Sequence, residues 1–169
     1  MHDYGLVQDW VAFATVAGAA AASLTGLLFV AVSIRIDVIA PSPELRNRAA
    51  QTLLLFGTVV VISIVLAIPS QAYGPLGAEL IAVGVMAGAG MLALDHRARS
   101  GADGSGVETI GHVLDVIAPN SVTSVLVLVS GALIAAGVHA GLYVLVVPII
   151  AALVGGVASA WLLLTRTGA

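Results

Sequence analysis

The sequence predicts an all-α integral membrane bundle: five transmembrane helices, N-terminus outside and C-terminus inside, plus one short amphipathic interfacial helix. Three observations carry that expectation. The chain is 60% hydrophobic and 9% charged, against about 25% charged residues in an ordinary soluble domain. Its apolar residues fall in charge-poor runs of the length that crosses a hydrocarbon core of about 30 Å. Its arginines divide between the ends of those runs in one consistent way. A soluble chain with a mean hydropathy of +1.11 could not cover its own exterior with polar side chains. In lipid the same composition is what the solvent demands.

Taken in order along a single membrane domain (residues 1–169), the first span covers about residues 10–34, long enough to tilt. Met1-His2-Asp3-Tyr4 lacks the basic region of a cleavable signal, so this span is expected to be retained. Pro41-Ser42-Pro43-Glu44 reads as a helix start, with Ser42 as cap, Pro43 in the first turn and Glu44 near the positive helix end. The second span is expected over 49–68. A tight turn, Pro69 to Pro75, follows, with Tyr73 at headgroup depth. The third span, 76–94, holds one acid, Glu79, close to its start.

Ser100 to Gly106 reads as a flexible linker. Beyond it, Ile110, Val113, Leu114 and Ile117 share one helical face while Glu108, Thr109, His112 and Asp115 share the other. That pattern predicts an interfacial helix over 107–118, turned into the membrane by Pro119-Asn120. From Val122 to Leu164 the apolar stretch is too long for one helix. Gly137-Val138-His139-Ala140-Gly141 is where it can break, giving spans at 122–138 and 142–164.

Orientation follows from charge. The six basic residues are all arginines, at positions 35, 46, 48, 97, 99 and 166. With five spans they all lie on one side, which the positive-inside rule makes cytoplasmic. Four spans would put Arg166 opposite the rest.

Small residues predict how the helices pack. Ala14, Gly18, Ala22 and Gly26 recur every fourth position in the first span, Gly84 and Gly88 in the third, and Ala151, Gly155 and Ser159 in the fifth, beside Ala152, Gly156 and Ala160. Such faces let backbones approach closely, within one bundle or against another subunit.

Chemistry is sparse. The chain has no cysteine, which excludes disulfides and thiol catalysis, and a pI near 5.7 gives no sign of nucleic-acid binding. No ionisable residue is expected in mid-membrane, where coupled transporters place theirs. Glu79 can reach the headgroups or serve as a pore or partner contact. Glu108, His112 and Asp115 form a weak metal-site candidate at spacings of four and three on one helical face. No catalytic residue, cofactor site, Ser-His-Asp set, phosphate loop or HExxH motif is found, so an enzyme is not expected.

Ala22 to Ile34, with Arg48-Ala49-Ala50-Gln51-Thr52-Leu53 and Ile68-Pro69-Ser70-Gln71, carries a pattern LTGLLFVAxSI, RAxxTL, PxQ. In this the chain resembles a family of small bacterial multi-pass membrane proteins. The resemblance covers about the first 70 residues and transfers no catalytic or ligand residue.

Two functions are therefore expected. The first is an accessory or scaffolding subunit of a larger bacterial inner-membrane complex, of respiratory or lipid-transport type, with the bilayer and other membrane subunits as its partners. The second is a homo-oligomeric channel or small-solute pore, lined by hydroxyls such as Thr52, Thr58, Ser63, Ser124 and Ser130.

Overall fold

The structure, a computed structural model, describes the backbone over residues 10–100 and 109–165 and the side chains over 10–97 and 122–161. Over these described residues it is all-α, with five long helices: α1 (Val11–Ile34), α3 (Pro43–Leu66), α4 (Tyr73–Ser100), α5 (Thr109–Ala135) and α6 (Ala140–Thr165). A single helical turn, α2 (Ile36–Ile39), joins α1 to α3. Four helices are long and apolar enough to cross a membrane: α1, α3, Tyr73–Arg97 of α4 and Ala140–Trp161 of α6. By length and composition they mark a multi-pass membrane protein. In α5 the apolar stretch is shorter, Val122–Ala135.

The helix starts follow their local chemistry. Ser42 caps α3, its side chain accepting a hydrogen bond from the Leu45 N–H, with Pro43 at the first position and Glu44 in the first turn. Glu44 also lies 3.3 Å from Arg48 one turn on, an exposed pair worth only a few tenths of a kcal/mol, about 0.3–0.5. α3 thus begins six residues before the expected span, because the cap and first turn belong to the same helix. α4 likewise runs from Tyr73 to Ser100 rather than 76–94, taking in Asp95, His96 and Arg97. Tyr73 belongs to the helix and not to the turn before it.

Two prolines sit beyond the first turn of their helices. Pro148 lies within α6. Pro119 lies within α5, which continues from Thr109 through Pro119-Asn120 to Ala135 without a break. The turn expected there is absent, and residues 109–118 are the first turns of α5, not a separate interfacial helix. A proline removes one backbone donor and crowds the preceding turn, yet membrane helices tolerate it because neighbouring groups restore the freed backbone contacts.

The break expected at residues 137–141 is present. α5 ends at Ala135, Gly137 takes φ +76°, and α6 starts at Ala140. Only a residue without Cβ enters that left-handed region at no cost, so Gly137 is what allows the reversal.

α3, α4, α5 and α6 pack in a ring, each on the next and α6 back on α3. α1 lies outside it, packed chiefly on α3 with a smaller contact to α6. The interior is filled by Phe56, Val59, Ile62 and Leu66 of α3, Leu76 and Leu80 of α4, Ile134 of α5, and Leu142, Leu145 and Ile149 of α6. Buried positions alternate three and four apart along α3 (Thr52, Leu55, Val59, Ile62, Leu66), the spacing of left-handed helix packing at small crossing angles.

Candidate functional site

The polar groups of the bundle are few, and the fold sorts them into two rungs and a set of hydroxyls. Near the arginine-bearing end, Gln51 of α3 donates a hydrogen bond from Nε2 to Oδ1 of Asp95 on α4, at 2.7 Å. Near the other end, Gln71 in the α3–α4 turn donates from Nε2 to Oε2 of Glu79, at 2.6 Å. All four side chains are half-buried. The first bond ties α3 to α4, and the second ties the turn between them to α4. Glu79, the one acid inside an expected span, is satisfied within the chain. Gln71 Oε1 is left buried without a hydrogen-bond partner.

The Gln51–Asp95 rung escapes a linear reading because its partners are 44 positions apart and Asp95 looks like a boundary residue. A glutamine next to a polar helix end was the available signal. Tyr73, beside the second rung in sequence, turns away from it: its ring lies 5.2 Å from the His139 ring in the α5–α6 turn. Trp10 packs edge-on to Phe13 and Tyr143 at the same end.

The hydroxyls serve the helices. Thr52 Oγ1 donates to the Arg48 carbonyl at 2.9 Å and Thr58 Oγ1 to that of Leu54 at 2.8 Å. Ser130, fully buried, donates across the hairpin to the Gly141 carbonyl at 2.7 Å. Ser63 packs against Gly18, where an added Cβ would stand 2.9 Å from its own. Ser124 faces Gly88, and a Cβ there would be 3.7 Å away. Among these groups the structure shows packing contacts and back-bonding, with the ring interior closed by large side chains.

The small-residue positions divide. Gly84 lies against Leu128 of α5, an added Cβ falling 2.9 Å from its side chain, so the Gly84–Gly88 pair faces α5 as a packing surface. The tightest backbone approach among the glycines is at Gly77, which the four-residue stripes did not include: an added Cβ would press on the Ala135 nitrogen and stand 2.6 Å from the Gly131 carbonyl oxygen. On α1, Ala14 is buried and Gly18 abuts Ser63, but Ala22 and Gly26 are exposed. The buried residues are Ala14, Ala17, Ala21 and Leu28. Each four-residue step overshoots a turn by about 40°, so three steps carry a stripe about 120° around the helix. A stripe that begins in the interface ends outside it.

On α6 the neighbouring stripe faces inward instead. Ala152 and Gly156 are buried, with Gly156 seated on the Phe56 ring. Ala151 is exposed, Gly155 has open space where a Cβ would go, and Ser159 is half-buried.

No group of three His, Asp or Glu side chains converges on a metal position among the described residues. The weak metal candidates lie outside the described set: Glu108 itself, and the side chains of His112 and Asp115. Compared with known proteins, the chain matches no family model, no curated protein and no solved structure.

Proposed function

We propose that this chain is an accessory or scaffolding subunit of a larger bacterial inner-membrane assembly, acting through helix-to-helix contacts. All five long helices would cross the membrane, the arginine-bearing ends lying in the cytoplasm and the N-terminus outside. One observation carries the reading. α1 presents Ala12, Thr15, Ala19, Ala22 and Gly26 outward, all exposed and alternating three and four apart. That spacing on one helix face is the seam spacing of close helix packing, and α1 is only 17% buried over its apolar window, against 39% for α3 and α6.

The absence of an ionisable side chain deep in the described bundle, and the rungs that satisfy both half-buried acids of α4, support a role by contact over one by ion coupling. Extraction in a mild detergent, affinity capture and mass spectrometry test the proposal. Stoichiometric membrane partners are expected, and Gly26→Leu should release them while leaving the fold intact. A pure, partner-free species from native membranes would overturn it. Bilayer flux from the isolated protein would favour the homo-oligomeric pore instead.

A further inference from the structure

The structure offers two independent rulers along the bundle. On α4, Glu79 and Asp95 are sixteen positions apart, about 24 Å at 1.5 Å per residue. Each is held by a glutamine amide, and between them the exposed side chains of α4 are Ala82, Val85, Met86, Ala89, Leu92 and Ala93. On α6, Tyr143 and Trp161 are 70% and 66% exposed. They are eighteen positions apart, about 27 Å, and the exposed residues between them are again aliphatic.

The rulers are also in register. Tyr73 meets His139 across the bundle, and both helices run from that end, so Asp95 and Trp161, each twenty-two positions further on, arrive at the same level. Carboxylates that need donors and amphipathic aromatic rings both collect at the boundary between hydrocarbon and headgroups.

We infer that the ring α3–α6 is fitted to a hydrocarbon layer of about 24–27 Å, thinner than the average of about 30 Å, with the two amide–carboxylate rungs at its two edges. The inference rests on membrane insertion, not on the subunit proposal.

The chain's two tryptophans, Trp10 and Trp161, make it testable in the intact protein. The full chain is reconstituted in phosphatidylcholine vesicles whose monounsaturated chains step from about 14 to about 22 carbons. Thermal stability is expected to peak at the shorter, intermediate lengths and to fall toward the longest. In the single-tryptophan variants Trp10→Phe and Trp161→Phe, fluorescence should be quenched by lipids brominated near the glycerol end of the chain, and little by those brominated near the methyl end. Stability that climbs to the longest chains overturns the thin-layer fit. So does strongest quenching of Trp161 from the bilayer centre. Quenching of neither tryptophan by any lipid would overturn membrane insertion itself, a separable result.

Discussion

At the scale of single residues, the acids of α4 show how a membrane chain keeps charge at its edges. A carboxylate that loses a hydrogen-bond donor where water is scarce is left with a desolvation cost. Gln51→Leu is therefore expected to destabilise the bundle by about 1–3 kcal/mol, measured by reversible unfolding in mixed micelles. Asp95→Asn, which keeps an acceptor and drops the charge, should cost less. If both substitutions prove neutral, the rung is a surface contact without energetic weight. Gly137 is the second residue to test. Its φ of +76° makes Gly137→Ala strained by roughly 1–2 kcal/mol, although no atom lies within 4 Å of the added Cβ. A loss of that size with unchanged helix content by circular dichroism is the expected result.

At the scale of elements, the α4–α5 contact depends on missing side chains. Gly77→Ala drives a methyl into the α5 backbone at Gly131 and Ala135, and an overpacked close approach costs about 1–3 kcal/mol. Gly155→Ala, with open space around it, should stay within about 0.5 kcal/mol of the parent. Equal losses at the two positions, in the same unfolding assay, would mean the α4–α5 approach is looser than described. Part of this level was legible in the sequence: the five apolar runs lie in five long helices, four of them long and apolar enough to cross a membrane, and the Ser42 cap and the break near His139 are where the residues put them. Two features were not. Pro119 read as a turn because its cost is reckoned for water, whereas a helix in lipid has no better option for its backbone than to stay helical. Stripes counted every fourth residue ignore the drift of a 3.6-residue helix, so Gly26 was grouped with Ala14, which faces the other way, while Gly77 and Gly131 lay outside the stripes.

At the scale of the whole molecule, partition between inward and outward small residues separates the fold from its assembly. Substitutions at Gly77 or Gly156 should impair the isolated bundle. Substitutions at Gly26 or Gly155 should spare it and alter only what travels with it through size exclusion. Reporter fusions after Ala102 and after Ala169 are both expected on the cytoplasmic side. A C-terminal fusion found outside would remove one crossing and with it the five-span arrangement. The function itself was the least legible level, because contact with another helix needs only size and spacing, and the same alanines and glycines serve lipid, a partner or the chain's own neighbours.

The order of the ring against the order of synthesis has one more consequence. α6 is made after the other five described helices and, among them, closes α5 back onto α3. Until it arrives, Phe56 has no Gly156 beneath it and Ser130 has no Gly141 carbonyl to reach. The earlier long helices must therefore wait as an open row, with one flank uncovered until α6 packs against it. A chain cut short in the α5–α6 turn should be inserted and then cleared by quality-control proteases, and pulse-chase lifetimes of such truncations would reveal how long the unfinished ring survives.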